Sequence, residues 1–237
     1  FYVLPKDENR YDEGGVRLNG PARNATGDKP MVSVVTIVYN DENNLEDTIN
    51  SVLNQNYPYI DYVIIDGGSK DGTVNIIKKY DSRIDYWVSE HDEGIYDAIN
   101  KGIKLCQGEL IKIINSGDLL DPNMINSSVD VYMSNQKKDC IINSYIQNIY
   151  EEGGARSIWT TEKKIINNYN VFNHPSWLVP RSIYEKFGLY SLDYQVSSDY
   201  EYYLRLMSEN IPVHTIKKAL VSFREGGVSN EYKGAKE

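Results

Sequence analysis

Asn115-Ser-Gly-Asp118 places an amide, a hydroxyl, a glycine and a carboxylate in consecutive positions, directly after the apolar run from Leu110 to Ile114. Small polar groups at the end of a strand let a ligand come close, and a carboxylate among them can hold a divalent cation. Asp118 is therefore a candidate ligand for Mn2+ or Mg2+, with Asn115 or Ser116 orienting it or meeting a sugar; the alternative is a side-chain turn ahead of Asp121-Pro122. A second such carboxylate is Asp66, which lies between the apolar stretch Tyr62 to Ile65 and two glycines. It can accept hydrogen bonds from the N–H of a base or from ribose hydroxyls, or it can stabilise its own strand-to-helix turn. Glu90, Asp92 and Glu93 crowd before Gly94, where they can bond a ribose, pair with Lys101 or form a solvated acidic turn. Far along the chain, Asp199 is placed either to take a proton from a hydroxyl or to complement the dipole of a helix first turn. His174, beside Pro175, is either an acceptor- or phosphate-binding group or a satisfied structural residue.

These groups need a scaffold, and the hydrophobic pattern supplies one. Met31 to Val38 is a β-branched run, apolar enough to be buried on both faces as central parallel strands are. Polar residues Tyr39 to Asn44 break it, and Leu45, Ile49, Val52 and Leu53 then recur at helical spacing, with Asn43 or Asn44 as the expected cap. The same order returns with a strand at Tyr62 to Ile65 and a helix from Thr73, then a strand over Asp85 to Ser89 and a helix from Gly94 to Leu105, and then the strand Leu110 to Ile114. Alternation of this kind predicts an α/β fold whose mostly parallel sheet carries helices on both faces. Ligands in such sheets bind beyond the carboxyl ends of the strands, so Tyr39-Asn40, Asp66 to Ser69 and Asn115 to Asp118 are expected to converge on one crevice.

After Pro122 the pattern predicts a helix over 123–133, a strand over 140–149, a polar turn at Glu151 to Gly154 and antiparallel additions to one edge of the sheet. A short strand over His174 to Pro180, a helix over Arg181 to Phe187, a helix capped by Ser197 or Ser198 and a strand over Ala219 to Phe223 complete the reading. Residues 1–30 are polar and glycine-rich without a sustained period and read as an irregular extension to a domain over 31–237.

With 237 residues, 41% hydrophobic and 25% charged, the chain suits one α/β domain with a small appendage. A net charge of −9 argues against nucleic acid as the partner, because neutralising phosphates takes a basic stripe. A phosphate-bearing ligand would instead need a cation or local dipoles. Cys106 and Cys140 lack metal-ligand spacing and fit a reducing compartment. No run of 18 apolar residues and no signal peptide is visible, which gives the expectation of a cytoplasmic protein.

Six ordered blocks between residues 31 and 229 resemble family 2 glycosyltransferases, in particular the bacterial branch that builds O-antigen, capsule and colanic-acid repeat units. They are Val32 to Asn40, Val63 to Thr73, Ser89 to Gly102, Asn115 to Asp118, Ser197 to Tyr200 and Phe223 to Ser229. The resemblance implies a GT-A fold, a nucleotide-sugar donor with uridine as the expected base, a divalent metal and inversion at the anomeric carbon. Residue by residue, Thr36, Tyr39 and Glu42 match the first donor-binding block, and Asp66 matches the carboxylate facing the base. Asp92, Asn100 and Lys101 lie in the block that closes around nucleoside and phosphates. Asp118 matches the last acid of the metal motif and Asp199 the catalytic base, while Arg224 to Ser229 is a candidate lid. The chain departs from the common pattern twice. Asn115 and Ser116 stand where many relatives carry acids, and Ser198 precedes Asp199 where many carry Glu.

The implied acceptor is a glycan or lipid-linked oligosaccharide at the inner face of the membrane, with peripheral membrane contact. A nucleotidyltransferase would show a glycine-rich basic loop after the first strand, and Tyr39 to Glu42 is not one. The alternative from another class is a non-catalytic nucleotide-sugar or glycan-binding module of the same fold.

Overall fold

The computed structural model describes residues 28–149 and 173–224, residues 3–20 apart from 6, 9 and 19, and the backbone of three two-residue strands between 158 and 170. In chain order the strands are β1 (Asp12–Gly14), β2 (Val32–Val38), β3 (Ile60–Asp66), β4 (Tyr86–Ser89), β5 (Leu110–Asn115), β6 (Leu119–Leu120), β7 (Ile141–Ile149), β8 (Ile158–Trp159), β9 (Ile165–Ile166), β10 (Tyr169–Asn170), β11 (Leu178–Pro180) and β12 (Val213–Arg224). The helices are α1 (Leu45–Leu53), α2 (Thr73–Lys79), α3 (Ile95–Leu105), α4 (Met124–Ser134), α5 (Arg181–Phe187) and α6 (Ser198–Ser208). One mixed sheet runs β1-β4-β3-β2-β5-β11-β7-β12-β6, with β8 paired to β7.

The four strands β4-β3-β2-β5 are mutually parallel, as βαβ crossovers require. Every residue of β2 is buried, which explains its unbroken apolar run: Val32, Val34 and Val38 face a core completed by α1, α2 and α4, whereas Val35 and Ile37 face one completed by α3, α5 and α6. Helix α3 comes close to the sheet at Gly102, where any side chain would run into Val35. Both cysteines are free and buried, and burial pushes the Cys106 thiol up to about 12.

Several expectations need correction. Part of the irregular extension joins the sheet: β1 pairs antiparallel with β4, and Arg17 forms a buried ion pair with Asp61 and donates to the Leu105 carbonyl at 2.9 Å. Three residues are too short to show a period-two pattern. The additions beyond β5 are not all antiparallel. Strand β11 enters antiparallel between β5 and β7, but β12 runs parallel to β7 because α5 and α6 carry the chain back across one face between them. His174 to Ser176 is a 3-10 turn ahead of β11 and not strand, consistent with Pro175 in a first turn. Neither expected side-chain cap forms. Asn44 donates to Asp41 Oδ1 at 2.7 Å, and the Ser198 hydroxyl to the Ser191 carbonyl at 2.7 Å. The polar turn at Glu151 to Gly154 lies outside the described residues.

Candidate active site

The turns after β2, β3 and β5 are tied into one hydrogen-bonded surface. From the turn after β2, the Asn40 N–H donates to Ser69 Oγ at 2.7 Å and Asn40 Oδ1 accepts from the Lys70 N–H at 2.8 Å. On the other side, the Ser116 hydroxyl donates to Asp41 Oδ2 at 2.7 Å. The three polar segments expected at one crevice therefore meet there.

Asp66, fully buried at the end of β3, accepts from the Gly68 and Ser69 N–H groups at 3.2 and 3.0 Å, from the Ser89 hydroxyl at 2.6 Å and from the Ser69 hydroxyl. Its turn-forming role is thus realised, with the carboxylate at the floor of the crevice. Asp92 approaches the same turn: a side chain at Gly67 would come within 2.5 Å of its Oδ2. Partial burial raises the Asp92 carboxyl against the bond it accepts from Gly94 at 3.0 Å. Lys101 donates to the His91 carbonyl at 2.8 Å and pairs with Glu90 and Asp97 at 3.2 and 3.3 Å, so the pairing reading of this acidic segment holds, with Asp97 as an added partner.

Other residues assigned through the resemblance sit differently. Thr36 is fully buried under the sheet, 2.9 Å from the Tyr62 hydroxyl, because its side chain falls on the α1/α2 face of β2. Asn100 clamps the backbone of Tyr190, donating to its carbonyl at 2.9 Å and accepting from its N–H at 3.0 Å. Glu42 accepts from the Gly72 N–H at 2.6 Å, where its charge suits the start of α2. Tyr39 is 61% exposed beyond β2.

At the end of β5, the Thr48 hydroxyl on α1 accepts from the Gly117 N–H and lies 2.9 Å from the Asp118 carbonyl, which fixes the turn from below. Gly117 has φ +93, a conformation that favours glycine. Asp118 Oδ1 accepts from the Arg224 N–H at 3.1 Å, and the Arg224 guanidinium donates to the Gly117 carbonyl at 3.4 Å. Arg224, the last residue of β12, thus lies against the turn after β5; residues 225–229 of the candidate lid lie outside the described residues. Asp118 Oδ2 and Asn115 Oδ1 are both buried and without a partner. Two unpaired oxygen acceptors at one turn suit a hard cation. Among the described residues no group of three or more His, Cys, Asp or Glu could hold a metal.

Burial pushes the Asp118 carboxyl up to about 7, opposed by the Arg224 N–H and by the charges of Lys112 and Arg224. Lys112, fully buried within β5 and bonded to the Pro175 carbonyl, was not singled out by the sequence, although a lysine inside an apolar strand is a visible signal. Burial pushes its ammonium down to about 7. His174 bonds the Tyr190 hydroxyl at 2.7 Å and packs edge-on against Trp177 and Tyr190. Desolvation pushes it down to about 4, opposed by Asp199 and aided by Lys112. A neutral, packed imidazole makes the structural role the better account of His174. Asp199 stands in the first turn of α6, its Oδ1 3.0 Å from the Tyr96 hydroxyl of α3 and accepting from the Tyr200 N–H at 2.9 Å. Tyr96 was also missed; nothing in a helical aromatic position distinguishes it from core.

The family model for glycosyl transferase family 2 matches residues 33–193. This chain belongs to that family. An uncharacterized glycosyltransferase of Mycobacterium tuberculosis is 31% identical over 204 residues, covering 85% of this chain and 78% of the relative. A putative teichuronic acid biosynthesis glycosyltransferase of Bacillus subtilis is 34% identical over 108 residues, 44% of this chain and 43% of the relative. Among solved structures, S. aureus TarS 1-349 in complex with UDP-GlcNAc superposes with a TM-score of 0.69 at 15% identity, covering 86% of this chain and 62% of that one. A mannosyltransferase from Pyrobaculum calidifontis in complex with GDP-Man and Mn2+ gives 0.65 at 17%, covering 86% of this chain and 60% of that one. The family 2 glycosyltransferase described here thus has the GT-A fold, and it spans about three fifths of each of those solved chains.

Proposed function

We propose that this glycosyltransferase moves a sugar from a nucleoside diphosphate, with uridine the preferred base, to a hydroxyl of a glycan or lipid-linked oligosaccharide, with inversion, in surface polysaccharide synthesis. The observation that carries the reading is the pair of buried oxygens without a partner, Asp118 Oδ2 and Asn115 Oδ1, at the carboxyl end of β5. Asp199, 81 positions beyond Asp118, is joined to the same strand through side chains in contact: Lys112 of β5 bonds the Pro175 carbonyl, the neighbouring His174 bonds Tyr190, Tyr190 stacks on Tyr96, and the Tyr96 hydroxyl meets Asp199. Support for the donor comes from the solved relatives, TarS with UDP-GlcNAc and the mannosyltransferase with GDP-Man. Support for polysaccharide synthesis comes from the teichuronic acid relative.

In this reading Asp118 and Asn115 would hold a Mn2+ or Mg2+ ion. When bound, that ion would offset the negative charge that grows on the leaving group. Arg224, against Gly117, adds a cation on the same side. Asp199 accepts the proton of the attacking acceptor hydroxyl on the opposite face of the sugar, and the Tyr96 hydroxyl holds the carboxylate in place. A carboxylate so placed contributes a factor of about 10² to 10⁴. Peripheral contact with a membrane would bring a lipid-linked acceptor to this site; among the described residues no helix is long and apolar enough to cross a membrane.

The test is nucleoside-diphosphate release from a panel of nucleotide sugars, with lipid-linked acceptors, in Mn2+, Mg2+ or EDTA. Turnover of one donor that EDTA stops, and that both Asp118→Ala and Asp199→Ala lose while folded, is the expected result. Donor binding without turnover under all conditions would instead identify a binding module of the same fold.

A further inference from the structure

Ahead of the region matched by the family, the side chain of Tyr11 reaches the Asp66 turn. Tyr11 immediately precedes β1, and its N–H donates to the Ser89 carbonyl at 2.9 Å, so the ladder between β1 and β4 fixes its backbone. Its neighbour Arg10 is held at 2.8 Å by Glu13 and at 3.1 Å by Glu90, with a side chain only 6% exposed. The Tyr11 ring itself is 64% exposed. A rigid backbone that presents a wet aromatic face is the arrangement of a stacking platform, since burying the ring would otherwise be favourable.

The ring lies at the Asp66 turn. A side chain at Gly68 would meet Tyr11 Cε2 at 2.5 Å, and Gly68 has φ +83, a conformation that favours glycine. The paired glycines of this turn therefore admit Asp92 at Gly67 and Tyr11 at Gly68. Ser89, which Tyr11 bonds through its backbone, also donates its hydroxyl to Asp66. A cavity of about 340 Å³ opens at this point, lined by Tyr11, Asp12, Gly68, Ser69, Lys70, Val74 and Ser89. Tyr39, on the other side of the turn, precedes the Asn40 N–H that bonds Ser69. Tyr11 and Tyr39 are the two most exposed large hydrophobic side chains among the described residues.

We propose that Tyr11 is part of the donor site: its ring forms the outer wall of the nucleoside pocket and stacks on the base, so the segment before the family domain helps to position the donor. The inference rests on the nucleotide-donor reading above.

UDP binding is the probe, measured by titration calorimetry in Mn2+ with the unaltered chain and with Tyr11→Ala, Tyr11→Leu and Tyr11→Phe. Loss of a stacked base predicts about 5- to 100-fold weaker UDP binding for the Ala and Leu variants, with the Phe variant within about threefold of the unaltered chain. The same ratio is expected for UMP, because the ring acts on the nucleoside and not on the second phosphate. Thermal unfolding should be nearly unchanged, since the ring is mostly in water. Equal UDP affinity in all four proteins would overturn the role of Tyr11 while leaving the donor reading intact. Failure of the unaltered chain to bind UDP or GDP would overturn the donor reading, and this inference with it.

Discussion

A buried carboxylate with an unpaired oxygen is costly unless a charge arrives to meet it, and Asp118 is in that state. The sign of its pH effect follows from its raised position. Between about 4 and about 7 the native carboxyl still holds a proton that the unfolded chain has released, so the stability it confers falls as pH rises through that window. Asp118→Asn is therefore expected to abolish turnover yet melt no lower than the unaltered chain at pH 8, where the burden of the charge is on the order of a few kcal/mol. By pH 5 the difference should shrink. A variant less stable at pH 8 but equal at pH 5 would contradict this account. Tyr96 is the second residue to test. Its ring stacks on Tyr190 at 5.8 Å between centroids, so Tyr96→Phe keeps the packing and loses the hydroxyl that meets Asp199 and the Val196 carbonyl. We expect kcat to fall by up to about 100-fold with little change in donor KM, read from steady-state kinetics. A change confined to KM would remove Tyr96 from the acceptor side.

Elements position these residues through few ties. Helix α3 carries Tyr96 and also Asn100, whose amide satisfies both backbone groups of Tyr190, so one clamp joins α3 to the segment leading into α6 and Asp199. Asn100→Leu would leave a buried N–H and C=O unpaired. A loss of about 2–5 kcal/mol is expected in urea unfolding, with kcat reduced because α6 is released. Retention of full stability would mean that packing of the Tyr184, Tyr190 and Tyr202 rings holds α6 without the clamp. The sequence showed these helices by their spacing, but not this bond, because an asparagine ninety positions from its partner carries no local signal.

At the scale of the molecule, the N-terminal segment is joined to the core by the Arg17 and Asp61 pair, whose side chains are 3% and 2% exposed. Asp61 also accepts from the Ser33 hydroxyl at 2.5 Å and from the Gln107 N–H at 3.0 Å, so the charge is well solvated by protein. Arg17→Met removes one partner and leaves the other buried. The expected cost is about 3–5 kcal/mol of unfolding free energy, and the double variant with Asp61→Asn should recover part of it. No recovery in a double-mutant cycle would show that Arg17 acts through packing alone.

The sequence by itself determined the architecture and the identity of the strand-end groups. Alternating runs of strand and helix length dictate a parallel sheet, and a parallel sheet puts Asn40, Asp66 and Asp118 at one end. These signals are local, because each depends on a period or a motif within about fifteen residues. Only the tertiary structure decided which polar side chains face the crevice and which serve the scaffold. Thr36 and Asn100 lie in matching motifs yet spend their hydrogen bonds inside, on Tyr62 and Tyr190, whereas Tyr96 meets Asp199 from a helix face and Tyr11 meets the Asp66 turn from the residue before an edge strand. A hydrogen bond or a buried charge depends on what stands opposite it in space, and that partner is set by the packing of distant segments and not by neighbours in the chain.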